Sequence, residues 1–453
     1  MHKNLFPVRW GFIGMFVVRV FSGFTGVYSV QAHNAVNHYT GPEAGSLQVL
    51  AYWSLGEYPS VSQDVVLDVN PGIKALTAGN LVVGSINVTA ASGTFSVRNN
   101  TGTATDSHLT LGGIGNLGNS VSGVSTDLLY VASGSILNLR GDNGGTGAGV
   151  LRLSLGQSGD FNIAGVSEIS TVISDGGSGY GIHKTGAGKL TLSAVNSYSG
   201  DTRVSAGTLI LAASSSLTFV VTDASSNGLR GVGAVTLNGE FRIDTSGVSV
   251  GAGFGSWRLV DVAALNESFG ADFRVSVGDW RESANVWTRA DGERTWTFTE
   301  ATGVLSLTSA GATAYDTWLS TGYVMNVADS VFGADVDHDG LGNGLEWILG
   351  GDPTQNDTSA ILPVVTGSAS NGLTLVFHRE SSSVGVADLV VEWGGSPGEL
   401  FNELVIGSVD IPANGTDPSV SLNVPVAGKV TVHIPAVNAQ GDKLFARLRA
   451  TGP

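Results

Sequence analysis

The stretch 181–211 constrains the fold more than any other part of the sequence, because it combines three short alternating segments with glycines at the turns between them. Apolar and polar residues alternate over 189–193, 201–204 and 207–211. Alternation of period two predicts strands with one buried face, and glycine supplies the positive φ that tight turns need. Three short strands in roughly 20–30 residues form one coil of a parallel β-helix. Because one coil cannot bury its inward face alone, the stretch predicts similar coils on both sides.

The same stretch resembles the autotransporter-associated β-strand repeat of exported bacterial proteins. That pattern runs Lys-Thr-Gly-x-Gly-x-Leu-x-Leu, then Asn-x-Tyr-x-Gly-x-Thr, then Gly-x-Leu. The matching residues are Lys184, Thr185, Gly186, Gly188, Leu190, Leu192, Asn196, Tyr198, Gly200, Thr202, Gly207 and Leu209. The resemblance implies a right-handed, passenger-type β-helix at the cell surface or outside the cell, and it implies no chemistry. His183 and Lys184 are expected to have turn and surface roles.

The flanking sequence continues the pattern from about residue 60 to residue 310. Short alternating segments such as 151–155 and 161–163 are separated by Gly, Asn, Asp and Ser, which favour turns. With 65 glycines but 42% hydrophobic residues, the composition is not that of a disordered chain. A cluster of tryptophans then follows, namely Trp257, Trp280, Trp287 and Trp296. We therefore expect residues 33–310 to form a β-helix whose last coil is covered by a C-terminal cap.

Charge and composition exclude several classes of function. The formal net charge is −16, and no basic stripe is present, so no nucleic-acid partner is expected. The segment 113–118 formally matches G-x-G-x-x-G, but the residues after it do not begin a helix, so no nucleotide partner is expected. The absence of cysteine excludes disulfides, thiolate catalysis and cysteine zinc sites.

Residues 1–32 are interpreted as a signal peptide. A weakly basic start precedes an apolar run over 10–18, and the small residue Ala32 suits a cleavage site. Arg19 interrupts the apolar region, and no run of about 18 uncharged apolar residues exists, which disfavours a retained transmembrane helix. The rest of the chain is therefore expected to be secreted or held at the outer cell surface.

The segment 335–346 carries the one motif that predicts a specific chemistry. It reads Asp-Val-Asp-His-Asp-Gly-Leu-Gly-Asn-Gly-Leu-Glu, the D-x-D-x-D-G…E pattern of an EF-hand-like calcium loop. Calcium takes six to eight oxygen ligands, and alternate residues of a tight loop converge on one point. The predicted ligands are the side chains of Asp335, Asp337, Asp339, Asn343 and Glu346 and the backbone carbonyl of Leu341. The alternative interpretation is an acidic, glycine-rich surface turn without a metal.

The surroundings of this loop favour a structural ion over a sensor. Apolar residues over 341–349 are spaced for one face of a short exiting helix, and Gly350 ends it. No entering helix of normal EF-hand length and no second loop accompany it. The segment resembles the isolated calcium loops of dockerin-like and thrombospondin type 3 repeats. We expect residues 311–361 to form a linker that one calcium ion stabilises.

Residues 362–453 change character again. Alternating strands separated by turn residues predict a small antiparallel β-sandwich. Trp393 is interpreted as a core residue, with a carbohydrate-stacking platform as the alternative. The roughly 250 further residues that an autotransporter barrel needs are not present, so no integral membrane barrel is expected in this chain. The overall expectation is an all-β chain: a right-handed parallel β-helix, a calcium-loop linker and an antiparallel β-sandwich.

Three functions are consistent with these features. The first is a non-catalytic exported bacterial protein, an adhesin or structural spacer, with surface glycans or other cells as partners. The second is a polysaccharide-active β-helix enzyme, which lines one face with clustered ionisable residues. The sparse candidates for that cluster are Asp142, Asp160, Asp175, His183, Lys184, Lys189, Asp201 and Arg203, and they form no recognisable set. The third is a carbohydrate-binding protein acting through residues 362–453.

Overall fold

Between Ala35 and Ser276 the chain winds into a parallel β-helix, because all but one of its described strands pair with strands one coil away. The computed structural model describes residues 33–452 other than 77–78, 101, 103, 114–116, 143–146 and 424–427. The signal-peptide segment 1–32 and part of the 113–118 glycine motif therefore lie outside the described residues. The elements of this part are β1 (Ala35–His38), β2 (Gly45–Ser46), β3 (Gln63–Leu67), β4 (Gly72–Leu76), β5 (Asn80–Val83), β6 (Ser85–Val88), β7 (Gly93–Asn99), β8 (Ser107–Leu111), β9 (Asp127–Val131), β10 (Ser135–Arg140), β11 (Leu151–Leu155), β12 (Gly159–Ile163), β13 (Val166–Ile169), β14 (Ile173–Ser174), β15 (Ile182–Thr185), β16 (Lys189–Leu192), β17 (Thr202–Val204), β18 (Thr208–Leu211), β19 (Ser216–Thr222), β20 (Leu229–Gly231), β21 (Ala234–Leu237), β22 (Glu240–Gly247), β23 (Phe254–Arg258), β24 (Val260–Val262), α1 (Leu265–Ser268) and β25 (Arg274–Ser276).

Parallel ladders run along the β-helix. In the described residues, one ladder has nine strands in the order β1-β3-β6-β9-β12-β15-β17-β20-β24, and a second has eight in the order β2-β4-β7-β10-β13-β16-β18-β21. A third face is shared by the ladders β5-β8-β11-β14 and β19-β22-β25. The parallel β-helix expected from the sequence is therefore confirmed, and its first described strand, β1, lies in a region whose sequence showed no clear pattern.

The coils around the matching sequence pattern show why the alternation matters. The strands expected over 189–193, 201–204 and 207–211 are β16, β17 and β18, but the expectation that they form one coil is wrong, because β16 and β18 pair with each other in one ladder and therefore lie on successive coils. Leu190 pairs in register with Leu209, and both side chains are fully buried. Stacking identical residues from coil to coil gives one continuous hydrophobic core along the axis, which a single coil could not form.

The position of Lys184 differs from the surface position expected from the sequence. Strand β15 was not expected from the sequence, and its alternation turns Ile182 and Lys184 inward. Lys184 is fully buried, so the predicted surface role is wrong. Its ammonium donates to carbonyl oxygens on three successive coils, those of Thr185 at 2.6 Å, Gly186 at 2.7 Å, Ala206 at 3.2 Å and Ile163 at 3.3 Å. The predicted turn role is therefore confirmed, because this one side chain satisfies several turn carbonyls.

An antiparallel sheet follows the last coils. It contains β23 together with β26 (Arg281–Ser283), β27 (Val286–Asp291), β28 (Arg294–Thr299) and β29 (Val304–Ser309), in the order β23-β29-β28-β27-β26. Trp257 and Trp296 are buried and stacked, with ring centroids 5.7 Å apart. Both belong to the same hydrophobic core as the coils, so the aromatic residues of this region pack onto the β-helix.

The remaining elements form a second hydrophobic core. They are α2 (Ala314–Gly322), α3 (Asn343–Leu349), α4 (Thr358–Ile361), β30 (Val364–Ser368), β31 (Gly372–His378), β32 (Asp388–Gly394), β33 (Asn402–Val405), β34 (Ser419–Asn423), β35 (Lys429–Ile434) and β36 (Phe445–Thr451). The strands make two antiparallel sheets, β30-β31-β35-β34 and β33-β32-β36, that share buried aliphatic residues. Trp393 is buried among them, which agrees with its interpretation as a core residue.

The two cores meet between the β-helix and α2. Phe254 of β23 packs in the second core, and the hydroxyl of Ser256 accepts a hydrogen bond from the N–H of Met325 at 2.8 Å. Residues 33–453 form one compact unit. In the described part of the chain, no helix is both long enough and apolar enough to cross a membrane.

Candidate metal centre

The segment 335–346 folds as an acidic loop over 335–342 that leads into the first turn of α3. Gly340 has a φ of +94°, which lets the chain reverse where a side chain would be strained. The carboxylate of Asp335 accepts hydrogen bonds from the N–H groups of Asp339 and Gly340, each at 3.1 Å. Helix α3 then begins at Asn343 and ends at Gly350, which adopts a left-handed conformation. These contacts bring the alternate carboxylates of the loop to one side.

Five carboxylates converge in and around this loop. Asp335, Asp337 and Asp339 form one group whose ligand atoms lie within 4.8 Å of one another. Asp339 also belongs to a second such group, with Glu346 and Asp357. The structure therefore brings together the four carboxylates predicted from the sequence and adds a fifth, Asp357, that sequence reasoning missed.

Several of these oxygen atoms are buried without a hydrogen-bond donor. Glu346 is fully buried, and neither of its carboxylate oxygens has a hydrogen-bond partner. The same is true of Oδ2 of Asp337 and Oδ1 of Asp357. A buried, unpartnered carboxylate is costly unless a cation compensates it. The arrangement therefore has the property expected of a cation site.

The electrostatics of the cluster agree with this interpretation. Burial, reinforced by the neighbouring aspartates, raises the pKa of Glu346 to about 8. Burial, with Asp339 and Asp335 nearby, also raises the pKa of Asp337. Burial alone would also raise the pKa of Asp339. Hydrogen bonds from Thr358 and Leu341 outweigh this effect, so the pKa of the Asp339 carboxyl is lowered. Without a cation, the site therefore opposes the ionisation of Glu346 and Asp337.

Asn343 and Leu341, the other two predicted ligands, donate hydrogen bonds to neighbouring protein groups. The Asn343 side chain is buried and donates from Nδ2 to the backbone carbonyls of Asp329 at 2.7 Å and Val331 at 3.3 Å. Its amide therefore ties α3 to the segment before the loop. Leu341 donates its N–H to Oδ1 of Asp339 at 2.9 Å. The metal-binding roles of these two residues stay predictions.

Asp357 is held in place by the turn that follows α3. Its Oδ2 accepts a hydrogen bond from the N–H of Asp352 at 3.0 Å. The next residue, Thr358, donates its N–H to Oδ2 of Asp339 at 3.1 Å and also donates its hydroxyl to the same atom. The site thus joins the loop to the start of α4. The sequence signal was weak, because Asp357 lies well outside the loop motif and Asp352 follows α3 more closely.

Aromatic residues support the site from the core side. Trp347 on α3 is fully buried, and its Nε1 donates to the hydroxyl of Ser382 at 3.1 Å. Its ring lies 5.5 Å from that of Tyr315 on α2. A change in the position of α3 should therefore alter the environment of Trp347, which makes this residue a natural fluorescent reporter.

The donor chemistry fits one hard divalent cation. All the converging atoms are carboxylate oxygens, and calcium prefers six to eight such ligands in flexible geometry. Glu346 would close the site from the first turn of α3, and Asp357 would add a ligand from outside the loop. The residues present therefore fit calcium as a structural ion.

Comparison with known proteins found a match for part of the β-helix, and that match does not include the metal centre. Residues 182–211 match the family model described as passenger-associated-transport-repeat. No curated protein and no solved structure matches this chain. The matched residues are the strands β15 to β18 and their turns, which lie on two successive coils because β15 pairs with β17 and β16 pairs with β18, and they include the buried Lys184. The similarity to a known family is therefore confined to 30 residues of the β-helix.

Proposed function

We propose that this protein is an exported β-helix protein of the bacterial cell surface, non-catalytic in its main role, that acts as an adhesin or structural spacer. The observation that carries this proposal is the passenger-repeat match inside a continuous parallel β-helix. In a stacked ladder each coil contacts only its neighbours along one axis, so successive coils extend the molecule in one direction, as a spacer requires. Its partners would be surface glycans or other cells.

Protease treatment of intact source cells tests this proposal. Peptides of this protein should be released from intact cells and detected by mass spectrometry, and a cytoplasmic protein should stay protected in the same sample. Recovery only from the medium would support export and contradict attachment to the surface. Complete protection inside intact cells would overturn the proposal.

The second part of the proposal is one structural calcium ion at the candidate metal centre. The supporting observation is the buried Glu346 carboxylate without a partner, aimed into a group of four aspartates. The ligands are the carboxylates of Asp335, Asp337, Asp339, Glu346 and Asp357, with the carbonyl of Leu341 and the side chain of Asn343, which binds directly or through a water. Outside cells, millimolar calcium keeps even a weak site of this kind filled.

Asp357→Asn tests the ligand that lies outside the loop. The amide keeps the volume of the side chain but removes the charge, so we expect the Kd for calcium to rise about tenfold or more, which corresponds to about 1.4 kcal/mol. Calcium titration of the full chain, followed by calorimetry or Trp347 fluorescence, measures this change. Asp352→Asn is the matched control, because Asp352 accepts from Thr354 and Gln355 and lies outside both carboxylate groups. Equal affinities in the two variants would remove Asp357 from the ligand set.

A further inference from the structure

Three polar residues from successive coils form a hydrogen-bonded chain on the outer face of the nine-stranded ladder. Asp160 on β12 pairs in register with His183 on β15, and Ser205 follows β17 on the next coil. Nδ1 of His183 lies 2.9 Å from Oδ1 of Asp160, and Nε2 lies 2.6 Å from the hydroxyl oxygen of Ser205. His183 retains 32% of its side-chain exposure, so the chain can be reached from solvent.

The partners of the imidazole fix its hydrogen-bonding roles. An ionised carboxylate only accepts hydrogen bonds, so Nδ1 of His183 carries the proton towards Asp160. In the neutral ring Nε2 then accepts the hydroxyl proton of Ser205. Asp160 is itself held from the other side, because Thr126 donates its hydroxyl to Oδ2 at 2.9 Å. The backbone N–H of Ser205 donates to the carbonyl of Lys184 at 3.0 Å, which fixes the position of the serine.

We propose that Ser205 is a nucleophile that is acylated by carboxylic esters, with His183 as its general base and Asp160 as the residue that positions the imidazole. A serine hydroxyl is a weak nucleophile unless a base within hydrogen-bond distance takes its proton, and a third group usually orients that base. The three residues meet both conditions. The reaction adds a chemical activity to the scaffold, and it depends on neither the calcium site nor the location of the protein.

The reaction consumes one ester and one water molecule and gives one alcohol and one carboxylic acid. The Ser205 oxygen attacks the ester carbonyl carbon while its proton moves to Nε2 of His183. The carbon–oxygen bond to the alcohol then breaks, and the same proton passes to the departing alkoxide. Water next attacks the acyl-serine, again giving a proton to Nε2, and the carboxylic acid leaves as the proton returns to Ser205.

Arg203 indicates which esters the site would take. It lies two residues before Ser205 on the same outward face, and it pairs in register with His183 on one side and Arg230 on the other. Arg230 lies 4.0 Å from Asp201, whereas Arg203 is exposed and has no ion-pair partner among the described residues. A guanidinium free to bind a carboxylate or sulfate beside the nucleophile favours anionic esters, such as acylated acidic sugars.

Labelling the full chain with a fluorophosphonate probe tests the nucleophile. We expect one labelled peptide, carrying the phosphonate on Ser205, with labelling lost in Ser205→Ala and slowed at least tenfold in His183→Gln and Asp160→Asn. Ser193→Ala is the matched control, since Ser193 is another outward serine but donates to Glu168 at 2.8 Å. Circular dichroism would verify that each variant folds. No labelling of the folded protein, or labelling that persists in Ser205→Ala, would overturn the proposal.

A pair of small esters tests the substrate class. Mono-4-nitrophenyl succinate carries a carboxylate, and 4-nitrophenyl acetate does not. Arg203→Gln should lower the rate of nitrophenol release from the succinate ester at least fivefold relative to the rate of release from the acetate ester. Equal losses for both esters would reject the preference for anionic esters while leaving the nucleophile intact. These labelling and rate measurements are independent of the protease treatment that tests the surface proposal and of the calcium titration that tests the calcium proposal, so each proposal can fail separately.

Discussion

Glu346→Gln is expected to stabilise the calcium-free protein and at the same time to abolish its stabilisation by calcium. Glu346 is buried beside four aspartates, and its pKa in the folded protein rises from 4.5 to about 8. A carboxyl whose folded pKa is raised destabilises the folded state once the unfolded chain ionises. The penalty is absent below about pH 4.5, grows as the pH rises to about 8, and reaches about 3 kcal/mol at pH 7.

The measurement is the free energy of unfolding in EGTA and in calcium, at pH 4 and pH 7. In EGTA the variant should exceed the natural protein by about 3 kcal/mol at pH 7 and match it at pH 4. In calcium the natural protein should gain about 2.7 kcal/mol at a free concentration of 100 times Kd, and the variant should gain almost nothing. Glu399→Gln, at an exposed position, is the control and should change neither quantity. If Glu346→Gln lowered the stability in EGTA, its carboxylate would not be the uncompensated group described here.

Lys184→Met is expected to destabilise the β-helix by roughly 3–6 kcal/mol, because several buried carbonyls lose their donor at once. Methionine fills a similar apolar volume but cannot donate to the turn carbonyls of Thr185, Gly186 and Ala206. Burial lowers the pKa of Lys184 to about 8, so the ammonium is still charged at neutral pH and makes charge-assisted bonds. The effect should appear as a lower unfolding midpoint and as faster amide exchange over 182–211.

Lys189→Met provides the matched control for this change. Lys189 lies on β16 of the same coil and is exposed, so its replacement should change the free energy of unfolding by about 0.5 kcal/mol or less. If the two variants were equally stable, the carbonyl-binding role of Lys184 would be wrong.

The sequence predicted the fold wherever the signal was local. The alternation of Leu190 with Leu192 lies within one strand and therefore identifies β16 without any knowledge of its neighbours. Residues 35–38 form a strand although they carry no such pattern, because their partner is β3 on the next coil. Lys184 was placed at the surface because a cationic residue is seldom fully buried. Only the turn carbonyls that surround it explain why it is.

In the metal centre and in the Asp160–His183–Ser205 chain, too, the sequence predicted the contacts within one short segment and missed those between distant segments. The loop carboxylates lie within one short motif, whose spacing alone predicts that they converge. Asp357 reaches the cluster only because α3 ends at Gly350 and the chain turns back, which no residue spacing records. Asp160, His183 and Ser205 were separate residues in the sequence. They meet because each coil places its outward side chains beside those of the next, and the lengths of the intervening turns decide which residues align.

The regular ladder also makes the length of this molecule adjustable in fixed steps. Neighbouring strands of a sheet are about 4.8 Å apart, so the nine strands of the longest ladder span roughly 38 Å. Each coil carries its own turns and contacts only its two neighbours. Duplicating one coil, residues 182–201, should therefore carry the elements beyond it outward by about 4.8 Å and leave their internal structure unchanged, because Ile182 pairs with Thr202 on the next coil. Recombination between similar coils would add or remove whole coils. It would therefore change the distance between the first strand and the C-terminal sheets without any change to the residues of the core.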